Sequence, residues 1–304
     1  MTVTDPTTVD RLAQPPAFQH VSGARKAKNW IATGLVTLAF AVAVVPLIWL
    51  LITVVSKGFH AIVAHGWWTK SLKGVLPEEF RGGVYHALYG TFVQGLVCAV
   101  IAVPLGIMAA VYLVEYGRGR LAKVTTFMVD ILSGVPSIVA ALFVFALWIS
   151  VLGFAQSAFA VSLALVLLML PVVVRSTEEM LRLVPDELRE AAFALGIPKW
   201  KTIVRIVLPT ALSGIVTGIM LALARVMGET APVLVLVGYS RSINFDVFDG
   251  NMASLPLLIY TELGNPEAAG VQRVWGAALT LIIVIMFFNL LAALISRFSA
   301  IKTK

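Results

Sequence analysis

Apolar residues run through this chain in long blocks, without the alternation of a strand or the one-sided stripe of a soluble helix. Six blocks, 30–55, 88–114, 131–154, 155–174, 211–237 and 274–296, each reach the roughly 20 residues that an α-helix needs to cross a hydrocarbon core. Five of them hold no Asp, Glu, Lys or Arg, and the one at 211–237 holds Arg225 and Glu229. A membrane barrel would alternate over segments of about ten residues, and nothing here alternates for long. The first block is too long for a signal-peptide core, has no small-residue cleavage pattern after it and follows a long polar stretch, so it reads as a retained span. Residues 1–29, rich in Thr, Pro, Gln and charge, read as a disordered tail, 30–300 as one six-helix membrane domain, and 301–304 as a second short tail.

Composition agrees with that pattern. The 304 residues are 59% hydrophobic and 13% charged, with a mean hydropathy of +0.93, whereas soluble domains are about a quarter charged. A water-soluble enzyme, a disordered chain and a nucleic-acid-binding domain are all disfavoured, and the fold class is an all-α protein with six transmembrane helices. The single cysteine, Cys98, lies inside an apolar block, which leaves no disulfide framework and no thiol metal cluster.

The formal charge of +7 then sets an orientation. With both termini inside, 16 of the 23 Lys and Arg residues fall in cytoplasmic segments, six fall outside and Arg225 lies in a span. The positive-inside rule favours this arrangement, although Lys57, Lys70, Lys73 and Arg81 crowd the first outer loop. Trp30, Trp49, Trp67, Trp68, Trp148 and Trp275 lie near span ends or in that loop, as interfacial aromatics do. The expected placement is a multi-pass one in a membrane, with both termini on the cytoplasmic side.

The loop 175–209 between the fourth and fifth spans is patterned as helix, turn, helix. Pro185 precedes Asp186, Glu187 and Glu190 at a helix N-terminus, where acidic side chains are stabilised by the dipole. Gly196 suits the left-handed position after a helix, and Pro198 suits the first turn of the next. In that second helix Trp200, Ile203, Val204 and Val207 form an apolar stripe, Lys199, Lys201 and Arg205 point to water or headgroups, and Pro209 ends it. Small Ala191 and Ala192 permit close approach of another protein's surface.

Arg225 lies about 21 Å along a helix from Ala211, deep in the bilayer, where a charge usually faces a protein interior or a water-filled path. Glu229 stands one turn on as its partner. Two readings are open: a structural salt bridge, or an anion site built on the permanent charge and forked donors of guanidinium. Thr230 follows the pair. Ser133-Gly134-Val135-Pro136-Ser137 breaks the third block, as a proline kink or as lining of a pathway, with the Ser hydroxyls able to satisfy freed backbone groups. The chain has no P-loop, since no Gly precedes the Lys of Lys70-Ser71 or Lys201-Thr202, and no H-e-x-x-H-type metal motif written H-E-x-x-H. His60, His65 and His86 lie in or beside the first outer loop without ligand spacing, and Gln94, Asp246 and Asp249 are uninformative.

Glu190-Ala191-Ala192, then Gly196, Ile203 and Leu208-Pro209 at their spacing, resembles the "EAA" loop of bacterial ABC-importer permeases. That resemblance implies that Glu190, Ala191, Ala192, Leu195 and Gly196 belong to a coupling helix docked on an ATP-hydrolysing subunit, in a type I (MetI-like) permease fold. Arg225-Val226-Met227-Gly228-Glu229-Thr230-Ala231-Pro232 and Ser133–Ser137 resemble segments of the A-type permeases of phosphate-specific ABC importers. The likeness covers about residues 30–300. It implies a pathway lined by Arg225, Glu229, Thr230, Ser133 and Ser137. It also implies a homologous C-type permease partner, two ATP-binding subunits that hold the ATP and Mg, an extracytoplasmic phosphate-binding protein, and no cofactor, catalytic residue or metal in this chain. The EAA pattern alone names no substrate, so a permease for sulfate or molybdate is the neighbouring reading, and a gradient-driven transporter or channel the one of different class.

Overall fold

The computed structural model describes residues 23–299. The expected tails fall largely outside this range, at 1–22 and 301–304. Helix α1, Gly23–Ile62, begins ahead of the first apolar block and continues through Pro46. The chain divides into two compact units after Thr53. Within the first, the described residues are one helix, uncharged from Asn29 to Thr53.

The second unit starts in the last turns of α1 and contains α2 (Tyr85–Val111), α3 (Gly119–Gly134), α4 (Ser137–Val144), α5 (Ala158–Arg182), α6 (Asp186–Ala194), α7 (Lys199–Thr202), α8 (Leu208–Val226), α9 (Ala231–Leu236), α10 (Leu255–Leu263) and α11 (Ala268–Ser299). Wide π-helical turns extend α2 over Tyr112–Tyr116 and α4 over Phe145–Val151, and join α7 to α8 over Ile203–Val207. Among the described residues five helices, α1 included, are long and apolar enough to cross a membrane, and α3 with α4 makes a sixth if that bent pair counts as one span.

Helix α5 is the axis of the unit. It packs against α2 and α8 and also meets α3, α4 and α9. In lipid no hydrophobic effect drives helices together, so close backbone approach through small residues does the work. On α8, Gly214 and Gly218 form a G-x-x-x-G step, and a Cβ on either would lie 2.1 Å from Met180 Sδ or 2.5 Å from Ser176 Oγ of α5. Gly106 of α2 meets Val173 in the same way, at 2.6 Å. Cys98, Ala102, Ala160, Ala164 and Met169 fill the buried seam.

Two expected spans differ from what folds. The third is bent by 107° between α3 and α4; Val135 and Pro136 are extended there, because Pro disfavours α geometry in its predecessor. The fifth does not start near Ala211. The chain is helical from Lys199 to Val226, and Pro209, expected to end a helix, sits in the first turn of α8 just after a π-turn, a feature that re-routes bonds around a missing N–H. At its other end the same span stops at Val226 and not at 237. Pro232 has no N–H to give the carbonyl of Gly228 and its ring would clash with it, so the helix ends upstream and restarts as α9.

At the end of the bundle carrying residues 63–84 and α10, Arg273 forms a clamp. It is 2% exposed, and its Nη1 donates to Glu262 Oε2 at 3.0 Å, itself 1% exposed. Arg273 also donates to the carbonyls of Leu76, Pro77 and Glu79, and Arg241 donates to that of Val75. Burial and the Glu262 carboxylate push the Tyr239 phenol well above its ordinary range, against the opposing Arg241 and Arg273 charges. Replacing one member of a buried pair strands the other's charge, at a cost of about 3–5 kcal/mol, whereas an apolar pair is far better tolerated. Arg273→Met is therefore expected to lower Tm sharply in thermal unfolding of the purified protein, and the double replacement R273M/E262L to recover most of the loss; a wild-type Tm in the single variant would contradict the clamp.

Candidate functional site

The coupling-loop pattern folds as its residues dictate. Helix α6 opens with Asp186 and Glu187. It closes in a Schellman turn in which Gly196 N–H donates to Phe193 O at 2.9 Å and Ile197 N–H to Ala192 O at 3.0 Å. Gly196 has φ +73°, the left-handed geometry that L residues resist. Arg189 fixes the helix to the rest of the unit. Its Nε donates to Glu115 Oε1 at 3.0 Å, Nη1 to Val184 O and Asp186, and Nη2 to Leu181 O. Lys199 donates to Glu115 O and lies 4.8 Å over the Tyr116 ring. Within α6, Glu190, Ala191, Phe193 and Ala194 are exposed, as are Leu195 (79%) and Gly196 beyond it.

Ala192 corrects the expectation drawn for it. It is 2% exposed and packs inward, so the outward face of α6 is built on Glu190, Ala191 and Leu195 without it. The stripe expected in the following helix is also only half right: Ile203 and Val207 are buried, whereas Trp200 and Val204 are exposed. Helical spacing groups residues on one face but does not say which face meets protein and which meets lipid or a partner.

Arg225 is in the last turn of α8, and not in mid-span, with its side chain exposed. A cation there is favoured by the carbonyl end of the helix dipole. Among the described residues its side chain makes no hydrogen bond or ion pair, and neither does that of Glu229. The expected one-turn pairing needed an unbroken helix, and residues 227–230 are a turn: Gly228 N–H donates to Arg225 O at 3.1 Å and Glu229 N–H to Val226 O at 3.1 Å. Glu229 instead lines a cavity of ≈ 10 Å³ with Thr91, Gln94 and Ser254, about the room of one water molecule. Gln94 is 2% exposed and its Nε2 has no protein partner. Sequence reasoning passed over Gln94; the available signal was an amide in the middle of an apolar span.

The two breaks meet through the helices that follow them. Thr230 immediately precedes α9 without a side-chain capping bond, Ser137 begins α4, and α4 packs against α9. Ser133 stands apart on α3, exposed, with its hydroxyl donating to Asp130 O at 2.7 Å. Asp130 pairs with Arg175 of α5, which also holds the buried Glu178 at 2.8 Å. None of these three charged residues figured among the expected site residues.

Solved structures share this architecture. A chain of the alginate ABC transporter, crystallised with an alginate-bound periplasmic protein, aligns with TM-score 0.64 and 15% identity over 90% of this chain and 96% of its own. A chain of the inward-facing MetNI methionine ABC transporter gives 0.56 and 21%, over 72% and 95%. By sequence, the phosphate transport system permease protein PstA 1 of Mycobacterium tuberculosis is 68% identical over 97% of both chains. PstA of Mycobacterium leprae is 69% identical over 94% of both, and PstA of Yersinia pestis 40% identical over 89% of this chain and 90% of its own. Residues 102–301 match the family described as "Binding-protein-dependent transport system inner membrane component". That match takes in both breaks, the α6 turn and Arg225, and the chain belongs to the family of binding-protein-dependent transport system inner membrane components.

Proposed function

We propose that the chain is the A-type permease subunit of an ATP-driven phosphate importer and forms half of the translocation pathway. The observation that carries this reading is an unpaired, exposed guanidinium at a helix break inside a membrane domain. Its forked donors match the oxygens of a tetrahedral oxyanion, and broken helices form substrate sites in other transporters. The names of the relatives support phosphate over sulfate or molybdate. Release from the site needs only modest affinity, and Glu229 close in sequence to Arg225 would weaken anion binding enough to permit it.

The chain has no P-loop, so ATP and Mg are held by two separate ATPase subunits that dock on the outward face of α6. A homologous C-type permease supplies the other half of the pathway, and an extracytoplasmic phosphate-binding protein delivers the substrate. The membrane is the bacterial inner membrane, with both termini cytoplasmic. In proteoliposomes holding the whole complex and its binding protein, uptake of radiolabelled phosphate is expected to require ATP, to stop with vanadate and to resist competition by sulfate and molybdate. Vanadate-insensitive uptake, or efficient competition by either oxyanion, would overturn the proposal.

A further inference from the structure

At the end of the bundle that carries α6, a cleft of ≈ 360 Å³ opens between the last turn of the α2 extension, the end of α5 and the base of α6. Its charged lining is Glu115, Arg118, Arg182, Asp186, Arg189 and Lys199, four cations against two carboxylates. The volume is within the range of small-ligand sites.

The two carboxylates are already engaged. Glu115 is 7% exposed and is held by Arg189 at 3.0 Å and by Lys199 at 3.9 Å, while Asp186 pairs with Arg189 at 3.0 Å. Arg189 spends its remaining donors on the carbonyls of Val184 and Leu181, so it is a fixed wall and not a ligand. What remains is excess positive charge at the mouth. Arg118 is exposed and has no hydrogen bond or ion pair among the described residues. Arg182 is 67% exposed and uses only Nη2, on Glu178. Lys199 is 40% exposed and keeps donors beyond its bond to Glu115 O.

We propose that this cleft binds a phosphate group, with Arg118 and Arg182 as its forked donors and Lys199 as a point charge. Guanidinium pairs take phosphate bidentately. The group comes either from an anionic phospholipid headgroup of the adjacent leaflet or from inorganic phosphate in solution. Asp186 at the rim opposes the ligand and keeps binding reversible. A bound phosphate would tie the segment 114–118 to the base of α6. Binding itself rests on this cleft alone, and only its effect on transport rests on the coupling role proposed for α6.

The test uses the whole complex. Retained phosphatidylglycerol is counted by native mass spectrometry after exchange from phosphatidylcholine, and binding of radiolabelled inorganic phosphate is measured by equilibrium dialysis. Each is compared between wild type, Arg118→Gln and the double replacement R118Q/R182Q. Arg118 packs against nothing it would leave unpaired, so its single replacement is read where the double variant fails to assemble. Affinity for one of the two ligands is expected to fall about fivefold for each arginine removed, the attraction one cation exerts on an anionic surface. The ligand that responds identifies the source. The comparison is repeated in an Arg225→Gln background, where phosphate held at the proposed pathway site no longer contributes, so that a loss on replacing Arg118 there is read at this cleft alone and failure here is separated from failure of the pathway reading. Equal binding of both ligands by wild type and the arginine variants would overturn the proposal.

Discussion

Arg225→Ala is expected to cut ATP-driven phosphate uptake by about two orders of magnitude. Hydrogen bonds to charged groups are worth roughly 1.5–3 kcal/mol each, and ~1.4 kcal/mol is a factor of ten in rate. Two forked donors on one oxyanion thus account for a loss of that size. Arg225→Lys keeps the charge but not the fork, and is expected to retain an intermediate rate, roughly tenfold down. Glu229→Gln should be milder than either, because Glu229 lines the small cavity beside Gln94 and makes no ion pair with Arg225. The readout is initial uptake in proteoliposomes, with co-purification of the ATPase subunits as the measure of assembly. Arg225 is exposed in this chain, so its loss removes no internal support. A complex that falls apart would assign Arg225 to an interface between subunits, and full uptake in Arg225→Ala would remove it from the pathway.

The parts of this fold that the sequence discloses are those ruled by local chemistry. Long uncharged blocks become spanning helices, and Gly196 becomes the left-handed residue of a Schellman turn because little else fits there. Hydropathy fails where a span is interrupted without a loss of apolar character. Val135-Pro136 and the 227–230 turn both fall inside blocks expected to cross as single spans, yet Pro136 and Pro232 each decide that a helix must stop upstream. Reading Arg225 and Glu229 as a one-turn pair ignored Pro232, whose ring constrains the position four residues earlier. Helix α10 was missed for a different reason. It is nine residues long, shorter than a span, and is held by tertiary contact beneath the 63–84 segment. Arg273 reaches the carbonyls of Leu76, Pro77 and Glu79, and Asp130 reaches Arg175, between residues far apart in sequence, and nothing in their local spacing marks them. Ala192 is hidden for another reason, since which face of α6 is covered depends on how α6 folds back against α7 and the Ile203–Val207 turn.

The second large effect is expected on the outward face of α6. A docked helix transmits force only if it is fixed to what it must move. Arg189 and Lys199 fix α6 to Glu115 at the end of α2, and the Gly196 turn leads from α6 into the helical run Lys199–Val226, whose last turn carries Arg225. A push on Ala191 and Leu195 therefore has two routes into the membrane domain, one to α2 and one along the helix of the proposed anion site. Ala191 is exposed, so Ala191→Glu leaves the fold of this chain intact while pressing an unpaired carboxylate into the proposed ATPase interface. Such a buried charge costs about 3–5 kcal/mol, enough to lower coupled uptake by about 10²-fold or more. Gly196→Val acts on the turn instead. No atom lies within 4 Å of the position a Cβ would take, so the cost is the left-handed backbone alone, about 1–2 kcal/mol, and Gly196→Asn should be milder because Asn enters that region more readily. The informative quantity is ATP hydrolysed per phosphate imported. It is expected to rise in Gly196→Val, where docking persists but the lever is loosened, and Ala191→Glu should instead lose the ATPase subunits on purification. If both variants kept the wild-type ratio and the wild-type complement of subunits, α6 would not be the coupling element.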